Sequence, residues 1–239
     1  MKVTIVIPMY NESKIIANTA RELSEYMEQN FDDYEIIFSD DGSLDGCADI
    51  VDSLKLSSVR TIRNGTNRGK GYAVRQGMMA AEGDICLFTD ADLAYGTNVI
   101  GESFKLIQED KDTDILLGSR NIGKDGYEGY TLMRRVMSKA YIKVLCIVGG
   151  FKMSDSQCGF KVFRKDAAKA LFSECTVDGF AFDFEVILRA LNQHRKITEM
   201  SVKIINHRTS SIRPLKDATR MLKDLMRIKK QIKKESKEN

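Results

Sequence analysis

The chain has 239 residues, 43% hydrophobic and 30% charged, which suits one domain or one domain with an appendage. No apolar run approaches the ~18–20 residues of a membrane-spanning helix, and the chain opens directly on the strand-like Val3-Thr4-Ile5-Val6-Ile7, so neither a span nor a leader peptide is expected. The net charge of +3 conceals an asymmetry: residues 214–239 hold nine Lys/Arg against four Asp/Glu, so the tail is basic and the body near neutral.

In chain order, residues 3–8 read as a strand, 11–29 as a helix capped by Asn11 or Ser13, and 34–39 as a second strand. Residues 45–56 read as a helix, 59–63 as a strand, 69–81 as a helix and 85–89 as a buried strand. A helix over 98–109 and a strand over 114–118 precede a glycine-bearing loop, 122–130, that reads as mobile. Beyond it lie a long helix over 132–148, a strand over 160–163, helices over 166–172 and 182–193, a late strand over 197–205, and a last helix entered through Pro214. The alternation predicts an α/β fold with a central, mostly parallel sheet flanked by helices. Residues 1–213 are taken as the catalytic domain and 214–239 as a basic amphipathic helix and tail.

The five cysteines are widely spaced and form no CxxC pair, which argues against a zinc site or a disulfide framework and fits small apolar filler in a reducing cytosol. Nucleic-acid binding is disfavoured, because the basic tail lacks interleaved aromatics.

Asp90-Ala91-Asp92 carries the strongest chemical signal. Two carboxylates at the end of a buried strand are poor core material, since an unpaired buried carboxylate costs several kcal/mol. A divalent cation shared with substrate phosphates resolves that cost. Three more polar clusters stand at predicted strand ends: Pro8-Met9-Tyr10-Asn11-Glu12, Asp40-Asp41-Gly42-Ser43 and Asn67-Arg68-Gly69-Lys70-Gly71. In a parallel sheet with helical crossovers these ends gather on one edge. An aromatic ring, carboxylates, a glycine-flanked lysine and a metal pair on that edge suit a nucleotide diphosphate. Each cluster alone has a plainer reading as a turn, a cap, a loop or packing; their order and placement together are far more specific.

With these residues in view, the chain resembles the family-2 glycosyltransferases, which share the nucleotide-diphosphosugar (GT-A) fold. Gly118-Ser119-Arg120, Arg134-Arg135, Asp155-Ser156-Gln157-Cys158-Gly159-Phe160-Lys161 and Phe182-Asp183-Phe184-Glu185 extend the resemblance to the polyprenyl-phosphate sugar synthases, with the Gln-Cys-Gly-Phe-Lys form nearest the dolichyl-phosphate glucosyltransferases and the mannosyl enzymes next. The resemblance implies an inverting transfer of a hexose from UDP-glucose or GDP-mannose to a polyprenyl or dolichyl phosphate. It places Pro8, Tyr10, Glu12, Asp40, Asp41, Lys70 and Ala91 with the donor, and Asp90 and Asp92 on Mg²⁺ or Mn²⁺. Arg120 would approach the phosphates, Arg134, Arg135 and Arg213 the acceptor phosphate, and Asp155 is the candidate catalytic carboxylate. The chain departs from the pattern at Ala94, where a polar residue often follows the metal pair, and at Thr209-Ser210-Ser211-Ile212-Arg213.

The alternatives are the same chemistry on a polysaccharide or other glycan acceptor, a sugar-phosphate nucleotidyltransferase, and a non-catalytic nucleotide-sugar-binding module. Asp183 and Glu185, two apart on a helix, are not expected to face one substrate atom, and at least one of 182–185 should be core. The helices over 132–148 and from Pro214 combine apolar stripes with lysines and arginines, which fits either packing on the domain or a peripheral position on an anionic membrane face.

Overall fold

The computed structural model describes residues 1–123, 126, 132–206 and 214–238, with the side chains of 132–138, 141, 214–221 and 236–238 outside that description. Seven strands form one sheet in the order β3-β2-β1-β4-β6-β5-β7: β1 (Val3–Met9), β2 (Tyr34–Asp40), β3 (Val59–Arg63), β4 (Ile85–Phe88), β5 (Ile115–Ser119), β6 (Lys161–Arg164) and β7 (Ile197–Ser201). β6 runs antiparallel to β4 and β5, and the other pairings are parallel. The expected mostly parallel sheet is therefore present. All seven residues of β1 are buried, as a central strand covered on both faces requires.

The period-two alternation of β1 divides the core. Val3, Ile5, Ile7 and Met9 face a layer formed by α1 (Ile16–Asn30), α2 (Cys47–Ser53) and α4 (Asn98–Glu109), packing with Leu23, Val51 and Phe104. Val6 faces the opposite layer, built from α3 (Lys70–Ala80), α5 (Leu132–Gly149), α6 (Lys165–Glu174), α7 (Phe182–Asn192) and α8 (Pro214–Glu238).

Three element boundaries differ from expectation. The first helix begins at Ile16, not at residue 11, because Asn11 is left-handed (φ 56°) and spends its side chain on a neighbouring loop. The second is short, entered through the left-handed Gly46. The late strand stops at Ser201, after which Ile205 and Asn206 donate their N–H groups to the Ala94 carbonyl at 2.8 and 3.2 Å. The loop expected over 122–130 lies largely outside the described residues.

The last helix is docked on the domain. Leu225, Ile228 and Ile232 are buried in the same cluster as Leu145 of α5 and Ile187 of α7. Arg189 of α7 reaches Glu235 at 2.9 Å and also pairs with Glu185 and Glu174. Truncating Leu225 to Ala would leave a cavity in this layer; urea denaturation should show a loss of about 2–5 kcal/mol, whereas a change below ~0.5 kcal/mol is what an undocked helix gives.

Candidate active site

Register gathers the sequence motifs on one sheet edge. Met9 pairs with Asp40 and Val6 with Phe88, so the segments leaving β1, β2 and β4 lie side by side. The first two are tied together: Asn11 N–H donates to Ser43 Oγ at 2.9 Å, Leu44 N–H to Asn11 Oδ1 at 2.9 Å, and Ser13 N–H to Asp45 Oδ2 at 2.8 Å. Pro8 is buried within β1 opposite Ser39, whereas Tyr10 stands 43% exposed at the rim. The Glu12 carbonyl accepts the N–H groups of Ile15 and Ile16 and opens α1.

The two neighbouring aspartates at the end of β2, Asp40 and Asp41, do different things. Asp40 accepts from the Ser43 N–H at 3.2 Å and from its hydroxyl. Asp41 is almost fully buried and accepts from the N–H groups of Arg68 and Gly69, at 3.1 and 2.7 Å, so its carboxylate fixes the loop that enters α3. Burial raises the Asp41 pKa, and those two donors offset it only in part. Gly69 is required there: its φ is +120°, and a Cβ would come within 2.5 Å of the Asp178 carbonyl.

Asp41 thereby aims Lys70, whose ammonium pairs with Asp90 Oδ1. Burial lowers the Lys70 pKa, but Asp90, Asp183 and Asp92 outweigh it and leave the pKa raised. Asp90 Oδ2 fills the space where a Cβ on Gly159 would fall, which accounts for a glycine in that motif. Asp92 Oδ1 accepts the Ala94 N–H at 3.2 Å. Ala91 is buried, and its carbonyl takes the Thr19 hydroxyl at 2.7 Å. Asn206 Nδ2 donates to the Leu93 carbonyl at 2.9 Å, so a segment remote in sequence braces the aspartate turn. A cleft of about 310 Å³ opens beside it, lined by Asp92, Asn18, Glu22 and Asn206 among others.

Asp90 and Asp92 are partly exposed hard oxygen donors, and among the described residues no group of three or more His, Cys, Asp or Glu shares a point. Two protein carboxylates with diphosphate oxygens and water completing the shell is a donor set that Mg²⁺ or Mn²⁺ accepts.

Arg120 follows β5, and Asp155 lies in the segment before β6. They are each other's partners. Asp155 is fully buried and accepts from Arg120 Nε at 2.6 Å and Nη2 at 3.0 Å, and from the N–H groups of Arg120 and Gln157 at 3.2 and 3.3 Å. Burial lowers the Arg120 pKa, but Asp155 more than reverses this and holds it well above the ordinary range. Glu199 on β7 fixes the same segment: its carboxylate accepts from Ser154 N–H (2.8 Å), Ser154 Oγ (2.7 Å) and Asp155 N–H (3.2 Å). Sequence reading passes over Glu199, because an acid on an alternating strand is unremarkable until β5–β7 pairing brings it to Ser154. Thr19 and Asn206 were equally silent, since only tertiary contact places them against the aspartate turn.

Asp183 and Glu185 point apart, as their spacing predicts. Asp183 pairs with the wholly buried Lys161. Glu185 accepts from Thr176 and Val177 N–H groups at 2.9 and 2.7 Å and pairs with Arg189. All four residues of 182–185 are buried. The side chains of Arg134 and Arg135, and the whole of 207–213 with Arg213, lie outside the described residues.

Comparisons with known proteins bear on the family and the fold. Residues 4–172 match the family described as Glycosyl transferase family 2. A dolichyl-phosphate beta-glucosyltransferase of Trichomonas vaginalis is 32% identical over 239 residues, covering 95% of this chain and 72% of that protein. The enzyme of the same name from Saccharomyces cerevisiae is 29% identical, with 95% and 73% covered. Among solved structures, glucosyl-3-phosphoglycerate synthase from Mycobacterium tuberculosis, crystallised with Mn²⁺, UDP and glucosyl-3-phosphoglycerate, superposes with a TM-score of 0.68 at 17% identity, covering 95% of this chain and 78% of that one. Mannosyl-3-phosphoglycerate synthase from Rubrobacter xylanophilus gives 0.65 at 18% identity, with 99% and 75% covered. These two establish the likeness of fold. The sheet architecture, a family match across most of the chain and relatives over 95% of its length together make this chain a member of glycosyl transferase family 2, a glycosyltransferase.

Proposed function

We propose that the protein transfers glucose, with inversion, from a nucleoside-diphosphate sugar to dolichyl phosphate or a related polyprenyl phosphate. The carrying observation is the aspartate pair at the end of β4, faced by Gly159 of the same segment that holds Asp155, the partner of Arg120, in a chain whose curated relatives over 95% of its length are named dolichyl-phosphate beta-glucosyltransferases. Glucose is preferred to mannose on those names.

Tyr10, Glu12 and Asp40 line the nucleotide side, with Pro8 and Asp41 shaping it through the backbone. Asp90 and Asp92 would hold Mg²⁺ or Mn²⁺, which when bound neutralises the diphosphate and stabilises it as a leaving group. An oxygen of the acceptor phosphate attacks the anomeric carbon, the bond from that carbon to the diphosphate oxygen breaks, and the nucleoside diphosphate departs with the electron pair. A phosphate monoester is already anionic near pH 7, so no strong base is needed. Arg120, with Arg134, Arg135 and Arg213, supplies guanidinium forks for the acceptor phosphate. Asp155, sealed and engaged by Arg120, serves as the anchor that orients that fork.

The catalytic part, residues 1–213, carries α8 docked against it. With Leu225, Ile228 and Ile232 buried, the exposed face of α8 is basic: Lys223, Arg227, Lys230 and Lys234. On α5, Lys139 and Lys143 stand beside the exposed Val144 and Ile147. Together these surfaces fit a peripheral seat on an anionic cytoplasmic leaflet, where a lipid phosphate would be met. Among the described residues no helix is long and apolar enough to cross a membrane.

Incubation with labelled UDP- and GDP-sugars, Mg²⁺ or Mn²⁺ and a short polyprenyl phosphate should yield a glucosyl lipid; nucleotide-sugar binding without turnover would end the proposal in favour of a binding module. Chelation should abolish transfer, and Asp90→Asn or Asp92→Asn should each cost at least ~10²-fold in kcat. For Asp155→Asn the expected result is an acceptor KM raised about tenfold, as Arg120 loses a charged partner, with an unchanged pH–rate profile. A kcat loss of ~10²-fold or more with a lost ionisation in that profile would make Asp155 the base after all. Cosedimentation with anionic liposomes should be strong at low salt and weak at high salt; no binding at low salt removes the membrane seat.

A further inference from the structure

Behind Asp90 and Asp92 runs a line of alternating charge, Lys70, Asp183 and Lys161, of which only Lys70 has a part in the expected donor site. Lys70, the first residue of α3, pairs with Asp90. Asp183 lies in the first turn of α7, which packs against the start of α3: a Cβ on Gly71, the residue after Lys70, would fall 2.6 Å from Phe182 Cβ, and the Asp183 carboxylate is the next whose field acts on Lys70. Asp183 in turn holds Lys161, which is wholly buried on β6 and also donates to the Cys158 carbonyl at 2.6 Å. The segment between Cys158 and Lys161 includes Gly159, which faces the Asp90 carboxylate. One short stretch of chain therefore touches both ends of the line.

The two helix starts cannot drift apart. Asp178 accepts from Arg68 at 2.8 Å and Arg75 at 2.6 Å, and its carbonyl accepts the Tyr72 N–H at 3.1 Å. The backbone at Lys70 is thereby tied, through Asp178, to the segment that leads into α7 and Asp183.

A divalent cation on Asp90 and an ammonium on the same carboxylate repel each other at close range. That repulsion favours movement of the lysine off Asp90 as the cation arrives. Its flexible four-carbon stem permits this, and a carboxylate has more acceptor sites than the single Lys161 contact uses. We propose that Lys70 is an internal counter-ion that neutralises Asp90 in the metal-free protein, and that the buried Asp183–Lys161 pair is the second position that receives it when the cation binds. Asp183 is then a positioning residue that sets metal affinity through Lys70, without touching the metal or the substrate. The inference rests on the metal reading of Asp90 and Asp92 given above.

The test is Mn²⁺ titration of the full chain without nucleotide, following free Mn²⁺ by electron paramagnetic resonance. It compares the natural protein, Lys70→Met, the paired change Lys161→Met with Asp183→Asn, and all three changes together, each checked for folding by thermal melting. The paired change avoids an orphaned buried charge. Lys70→Met should bind Mn²⁺ at least about fivefold more tightly, and the paired change at least about fivefold more weakly, the lower end of ordinary coupling between sites. That weakening should vanish when Lys70 is already Met. Unchanged or weaker binding by Lys70→Met overturns the proposal, as does a weakening that persists undiminished without Lys70. Should the paired change fail to fold, Lys70→Met decides alone. Metal-dependent glucosyl transfer by the natural protein alongside unaltered Mn²⁺ binding in Lys70→Met would remove this inference and leave the functional reading standing; tighter Mn²⁺ binding in Lys70→Met without metal-dependent transfer by the natural protein would do the reverse.

Discussion

Carboxylates crowd the carboxyl edge of this sheet, and the architecture around them follows from the cost of holding negative charge there. Asp90, Asp155 and Asp183 each have a cation brought from another element: Lys70 from α3, Arg120 from the end of β5 and Lys161 from β6. Asp41 has no such cation in its hydrogen bonds and is satisfied by two backbone N–H groups. Burial penalises Asp41, Asp155 and Asp183, so each needs a partner in place when the chain folds, whereas Asp90 stays partly exposed at the rim. Strand order supplies those partners. β6 inserts antiparallel between β4 and β5, which brings Lys161 beneath Asp183 and sets the Asp155 segment beside Arg120.

Under the proposed function, the same constraint separates the donor and acceptor sides. On the donor side the loops leaving β1 and β2 are tied to one another through Asn11, Ser43 and Asp45, so the nucleotide would meet a rim already ordered. On the acceptor side Glu199 fixes Ser154 and Asp155, Asp155 fixes Arg120, and the guanidinium fork has one orientation. A fixed fork loses little freedom on meeting a phosphate, the condition under which bidentate recognition is most effective.

Much of the fold was legible because β1, β2 and β4 are near-continuous apolar runs and the helices between them carry clear periodicity. The helix over 98–109 matches its predicted bounds for that reason. Boundaries failed where side chains chose tertiary partners: Asn11 continues a helical pattern in sequence but turns left-handed to bond the β2 loop. The ambiguity over the last helix was physical, since an amphipathic basic helix reads the same whether it packs on its own domain or on lipid. Burial of Leu225, Ile228 and Ile232 assigns its apolar face to the domain.

The residues alone determined the α/β alternation, the polar clusters at strand ends and the aspartate pair that points to a metal and a diphosphate. Those are local properties, written in composition and spacing. The tertiary structure decided which charges meet. Asp155 and Arg120, assigned separate tasks from sequence, are bound to each other, and Lys161 with Asp183 forms a buried pair behind Lys70. Glu199, Thr19 and Asn206 carry no local signal, yet each braces the site. Ion pairs and long-range hydrogen bonds depend on distances in space, and strand pairing sets those distances between residues far apart in the chain.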